Sequence, residues 1–91
     1  MSAIESRLQD DLKVAMKAGD KIRVSTLRQI RSQLQYERMD AGDSWSEQSV
    51  QAVLMKAAKM RAESIEQFEA GGREGLVEQE RSEWSVIEEY L

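Results

Sequence analysis

Apolar residues recur at every third or fourth position through most of this chain, the spacing that places them on one face of an α-helix. Short stretches rich in glycine and aspartate, which favour turns, separate four such segments. The pattern predicts four amphipathic helices, at about residues 3–18, 21–38, 47–70 and 74–90. Because each helix has one apolar face and the joints are short, we expect an all-α fold in which they form a small antiparallel bundle.

The ends of the predicted helices carry residues that start and stop helices. Ser2 and Glu5 have the spacing of a capping box, and Gly19 suits a left-handed C-terminal cap. Ser46 can cap the third helix, and Trp45 directly before it is placed to form a hydrophobic staple. These signals support the predicted boundaries.

Length and composition agree with this interpretation. The 91 residues include no proline, and 41% of them are hydrophobic. A chain of this size forms one domain, residues 1–91, with a modest core and no room for a deep enclosed active site.

The chain contains neither cysteine nor histidine. Disulfides and thiolate ligands are therefore excluded, and the commonest general base and zinc ligand are missing. We expect no catalytic residue set, no metal site and no cofactor. The N-terminus lacks the features of a secretory signal, and no apolar run reaches the roughly 18 residues of a membrane span. These observations predict a cytoplasmic protein without membrane contact.

Four charged residues fall on predicted apolar faces. Arg61 lies in the stripe of the third helix, Arg23 near the start of the second, and Glu80 and Glu83 in the stripe of the fourth. We interpret them as structural ion pairs, because the planar guanidinium group binds carboxylate through two hydrogen bonds. The alternatives are that Arg61 meets a ligand such as RNA phosphate, or that the glutamates serve in acid–base chemistry.

Charge is unevenly distributed along the chain, whose net charge is −4. Residues 13–38 contain seven basic and two acidic residues, whereas residues 63–91 contain nine acidic and two basic residues. The acidic total argues against indiscriminate nucleic-acid binding, so we expect no DNA partner. The basic segment leaves room for a local positive surface.

One flank of the second helix carries four of these basic residues: Lys21, Arg28, Arg31 and Arg38. Lys56 and Lys59 of the third helix extend this flank if the two helices pack side by side. Such a stripe suits a phosphate backbone. The alternative is a solvated face that pairs with the surplus glutamates of the fourth helix.

Two segments resemble a known family. "GDKIRVSTLRQIRSQL" (residues 19–34) and "LMKAAKMRAESIEQFEAGGREGLVEQERSEWSVIEEYL" (residues 54–91) are similar to the GatB/YqeY family, and the resemblance covers essentially the whole chain. It implies a helical bundle followed by a smaller helical domain. Members resemble the tail of the B subunit of the tRNA-dependent amidotransferase, which helps to hold tRNA while the chemistry lies in other domains.

The resemblance therefore implies a non-catalytic adaptor that contacts tRNA or another structured RNA. A carbon–nitrogen ligase activity with glutamine as amido donor would rest on resemblance alone. The sequence stops at "EEYL", where members continue with a proline and a further domain, so we expect that C-terminal domain to be absent. The alternative function is a module that binds a protein partner or itself and binds no RNA.

Overall fold

The computed structural model describes residues 2–91, so Met1 of the predicted domain lies outside it. The chain folds into four helices: α1 (Ala3–Ala18), α2 (Lys21–Ala41), α3 (Glu47–Ala70) and α4 (Glu74–Glu88). A 3-10 turn, Gly42–Ser44, joins α2 to α3, and no strand occurs within residues 2–91. The all-α class is confirmed. None of these helices is long and apolar enough to cross a membrane.

Two helix ends differ from the sequence prediction. α2 continues to Ala41, because the first residue that leaves helical geometry is Gly42, whose φ is +57°. α4 ends at Glu88, because the backbone amides that follow donate hydrogen bonds to carbonyl groups three residues earlier instead of four. One example is the bond from the Tyr90 amide to the Ile87 carbonyl, at 3.0 Å.

Hydrogen bonds at the helix termini follow the predicted caps. The Ser2 hydroxyl accepts a bond from the Glu5 amide at 3.0 Å, and the Glu5 carboxylate accepts one from the Ser2 amide. Gly19 has φ +70°, and its amide bonds to the carbonyl groups at the end of α1. Ser46 caps α3 through the Ser49 amide. These bonds satisfy donors and acceptors that a helix end otherwise leaves open.

A single core cluster draws on all four helices. Leu8, Leu27, Leu54 and Ile87, one from each helix, are fully buried. Truncating a buried leucine to alanine typically costs about 2–5 kcal/mol, so these side chains are the main source of stability. On α4 the inward residue of the first turn is Val77, 6% exposed, whereas the neighbouring Leu76 is 37% exposed.

α2 is the central helix, in contact with each of the other three. Its buried stripe consists of Thr26, Leu27, Ile30 and Leu34. α1 packs along one flank of this stripe and α3 along the other, each antiparallel to α2, as the pairs Glu5–Arg38 and Gln29–Arg61 show. Surface depressions therefore border α2 on both flanks.

Candidate functional site

A cleft of about 410 Å³ opens between α1 and α2. Leu8 and Leu34 contribute its apolar floor. Its polar lining, which together with that floor we call the basic cleft, comprises Glu5, Gln9, Arg28, Arg31, Ser32, Gln35 and Arg38. α2 supplies all three arginines because these positions recur on its α1-facing flank.

Arg28 and Arg31 are the exposed cations of the basic cleft. Within residues 2–91, neither has a carboxylate within 4.0 Å; the nearest polar partner recorded for Arg28 is the Met16 sulfur at 4.0 Å. Lys21, also exposed, lines an adjoining depression with Arg28. Three side chains on this flank thus present positive charge that no described carboxylate neutralises.

Arg38 lies in the same cleft but is held within the protein. Its Nη2 donates to both carboxylate oxygens of Glu5 at 2.7 Å, and its guanidinium lies 5.7 Å from the ring centre of Trp45. The Glu5 side chain is only 12% exposed, so this pair is partly shielded from solvent. Arg38 therefore brings little free charge to the cleft.

Lys56 and Lys59 do not extend the basic flank. Lys56 lines a groove between α2 and α3, on the flank of α2 that faces away from the basic cleft. Lys59 is exposed on α3 and lines neither surface. The predicted extension required α3 to pack beside Arg28 and Arg31, and α1 occupies that position instead.

Of the predicted core charges, the structure brings Arg61 and Glu83 together. Arg61 Nη2 lies 3.4 Å from Glu83 Oε1 and donates to Gln29 Oε1 at 2.7 Å. Gln79 donates to the other oxygen of Glu83, whose residue is 7% exposed. This buried cluster joins α2, α3 and α4.

Arg23 and Glu80 do not take part in that pair. Arg23 forms two hydrogen bonds to Glu89, at 2.7 and 3.2 Å, and lies 3.6 Å from Asp20. The bond to Glu89 raises the pKa of Arg23. Glu80 forms no ion pair within residues 2–91; burial, followed by the charge of Glu83, raises its pKa, and Arg61 opposes this.

One cluster has no counterpart among the predicted sites. Tyr90 is buried, its hydroxyl donates to Asp11 at 2.5 Å, and Arg7 lies 4.5 Å above its ring. Burial, together with the Asp11 bond, raises the pKa of Tyr90 above its usual value. The predicted fourth helix, residues 74–90, included Tyr90, but no local signal identifies its partner at the other end of the chain.

The described residues contain no group of three or more acidic side chains placed to hold a metal ion. The exposed arginines of the basic cleft can donate hydrogen bonds to phosphate and sugar oxygens, as can the neighbouring amide and hydroxyl groups.

Comparison with known proteins places the chain in an evolutionary context. A family model described as "Yqey-like protein" matches residues 5–91. The chain is 37% identical over 87 residues to "Altered inheritance of mitochondria protein 41, mitochondrial" of Lachancea thermotolerans, covering 94% of this chain and 46% of that protein. The same-named protein of Clavispora lusitaniae is 34% identical over 89 residues, 98% of this chain and 52% of that protein. The chain thus spans about half the length of the curated relatives it matches.

These relatives contradict the predicted cytoplasmic location. Their names place them in mitochondria, as does that of the Saccharomyces cerevisiae relative, which is 32% identical over 91 residues, 99% of this chain and 49% of its own length. The prediction was wrong because it inferred the location from the absence of a secretory signal and of a membrane span. The composition of a folded helical domain does not encode its compartment.

Proposed function

The chain belongs to the YqeY-like protein family, and from this premise we propose that it is a non-catalytic helical adaptor that contacts tRNA or another structured RNA through the basic cleft. The observation that supports the proposal is the pair of exposed arginines, Arg28 and Arg31, with no carboxylate partner within residues 2–91. In a chain of net charge −4, cations left without partners in one cleft favour an anionic ligand.

The chemistry of the cleft suits a phosphate backbone. Arg28 and Arg31 lie one turn apart on α2, about 4.5 Å along its axis, so both can reach one strand. Guanidinium groups bind phosphate through two parallel hydrogen bonds. Ser32 and Gln35, each four residues after one of these arginines, add neutral donors to the same cleft, of the kind that contacts sugar and phosphate.

We assign the phosphate contacts to Arg28 and Arg31 of the basic cleft and to Lys21 of the adjoining depression. Arg38 is matched by Glu5, and it orders the edge of the cleft rather than contributing free charge. Three contacts on an acidic protein support modest affinity that falls steeply with salt. Each contact adds about 0.7–0.9 to the slope of log K against log salt concentration, so we expect a slope of about −2 to −3.

The decisive test is a salt titration of binding to total cellular tRNA. Replacing Arg28→Glu and Arg31→Glu together should flatten the slope by about 1.4–1.8, because two phosphate contacts are lost. A control with the same change in net charge, Lys59→Glu plus Arg73→Glu, alters exposed cations outside the cleft and should leave the slope unchanged. Binding is measured by fluorescence anisotropy of labelled tRNA.

Either of two results would contradict the proposal. The first is a slope that the Arg28 and Arg31 replacements do not alter. The second is an equal loss in the control, which would show a response to net charge alone. The alternative is a protein-binding or self-associating module, and absence of tRNA binding at low salt would favour it. Because the relatives are named as mitochondrial, mitochondrial tRNA should be included.

A further inference from the structure

A second depression, of about 610 Å³, lies between α2 and α3. We call it the apolar groove, after the apolar side chains in its lining: Ile30, Ala41, Trp45, Ala52, Val53, Ala57 and Met60. It occupies the flank of α2 opposite the basic cleft. The buried stripe of α2 contributes Leu34 to the basic cleft and Ile30 to the groove, and the two surfaces contain no residue in common.

The groove has the length of a short helix. Along α2 it extends from Gln29 to Ala41, and along α3 from Ser49 to Arg61. At 1.5 Å per residue each wall is about 18 Å long, which matches roughly three turns of an α-helix. Its lining positions recur every three or four residues on both helices, so the walls are continuous.

The apolar lining is accessible. Met60 is 53% exposed, and Trp45 and Val53 are only partly buried against the core. Methionine has a flexible, polarisable side chain that adapts to varied apolar surfaces. A groove between two helices with apolar walls is the surface on which an amphipathic helix lays its apolar face.

Charge differs between the two rims. On the α3 rim, Lys56 is exposed, and no carboxylate of residues 2–91 lies within 4.0 Å of it. On the α2 rim, Glu37 accepts a hydrogen bond from Gln33 at 2.9 Å. An occupant is therefore expected to carry acidic side chains toward α3 and neutral or basic ones toward α2.

A buried donor lies at one end of the groove. Arg61 directs Nη2 to Gln29 and Glu83, but its Nε is buried and has no acceptor among the described residues. Buried polar groups are nearly always hydrogen-bonded, and an acceptor brought by an occupant would satisfy this one after a small shift of the side chain.

We propose that the apolar groove binds an amphipathic helix of a partner protein, about three turns long, with its apolar stripe on the groove floor and its acidic flank facing Lys56 and Arg61. The mixed charge and apolar walls disfavour a phosphate backbone. A dimer that set the two concave grooves face to face would leave both floors unfilled, so a convex helix fits the groove better than the groove of a second copy. The proposal is independent of RNA binding.

The probe is a labelled amphipathic peptide of about 12 residues, which matches the roughly 18 Å groove, capped at both ends, with leucine at every third or fourth position and glutamate along one flank. Its twin carries lysine in place of each glutamate. In fluorescence anisotropy with the full chain, we expect saturable binding of the acidic peptide and at least about threefold weaker binding of its twin. That ratio corresponds to one exposed ion pair.

Two pairs of variants locate the site. Lys56→Glu should reverse the preference, whereas Lys59→Glu, on the same helix outside the groove, should leave it unchanged. Ala52→Gln should obstruct the groove and weaken binding of the acidic peptide. Ala62 is also exposed on α3 but lies outside the groove, so Ala62→Gln should leave binding unchanged. Thermal melting confirms that each variant is folded.

Three results would overturn the proposal: no saturable binding of the acidic peptide, equal binding of the two peptides, or equal effects of the Lys56 and Lys59 variants. Sedimentation provides a further check. A concentration-dependent dimer that Ala52→Gln abolishes would make a second copy the occupant instead. None of these variants alters the basic cleft, so the salt dependence of tRNA binding reports separately on the RNA proposal.

Discussion

At the scale of single residues, the Arg61–Glu83 pair shows how a charged residue can occupy a core-facing position. Their side chains are 15% and 9% exposed, and both also bond to glutamine side chains. Removing two charges from water costs free energy that can equal or exceed the gain from their attraction. The pair is therefore better evidence of how α2, α3 and α4 are aligned than of high stability.

Replacing Arg61→Met should lower the free energy of unfolding by about 3 kcal/mol, because Glu83 would remain as a buried charge with its cationic partner gone. For a domain of this size, such a loss lowers Tm by more than about 10 °C. The double variant Arg61→Met/Glu83→Leu should regain most of it, since neither charge is then left unpaired. Thermal unfolding, monitored by circular dichroism, measures the stability of both variants. An Arg61→Met variant with unchanged Tm would contradict this assignment.

At the scale of elements, the joints depend on backbone geometry more than on side-chain contacts. Gly19 has φ +70° and ends α1, and Asp20 caps α2 immediately afterwards. This two-residue joint turns the chain sharply enough to lay α2 against α1. A Cβ at Gly19 would meet no atom within 4 Å, so only the left-handed backbone requires glycine there.

Two identical substitutions should therefore act in opposite directions. Gly19→Ala should destabilise by about 1–2 kcal/mol, the cost of a left-handed conformation for an L-residue. Gly75→Ala lies in the first turn of α4, where the added methyl also has open space, and should stabilise by about 0.4–1 kcal/mol through a less flexible unfolded chain. Denaturant titration of both variants measures the difference, and a shared sign would refute the argument.

At the scale of the whole molecule, a buried tyrosine brings the two ends of the chain together. Tyr90 follows α4, yet its hydroxyl bonds to Asp11 of α1. α1 otherwise packs mainly against α2, so this contact holds α1 against the end of α4. It thereby supports the α1 wall of the basic cleft.

Tyr90→Phe should lower the free energy of unfolding by about 1.5–3 kcal/mol, the value of a hydrogen bond to a charged group. The ring remains beneath Arg7, so the change isolates the hydroxyl. Tyr36→Phe is the matched control, because Tyr36 is 68% exposed and has no hydrogen bond among the described residues. Equal thermal stability of the Tyr90 variant and the control would show that the bond contributes nothing.

Three features of the molecule could be predicted from local signals. Helix number, caps and the alternation of buried and exposed faces follow from residues within a few positions of one another, since the α-helix is a local structure with a 3.6-residue period. The capping box at Ser2 and the left-handed Gly19 are examples. The arginines at 28 and 31 share a flank for the same reason.

Tertiary packing alone decided which charged side chains of the helices found partners. Glu5 forms an ion pair with Arg38, and Glu89 forms one with Arg23. Lys56 lines a groove on the other flank of α2, because α1 and α3 pack on opposite sides of that helix. A helical period places a side chain on a face but does not say which helix covers that face. The sequence alone determined the four helices and the charged positions on them; the packing around α2 decided which charges were neutralised and which stayed available for a ligand.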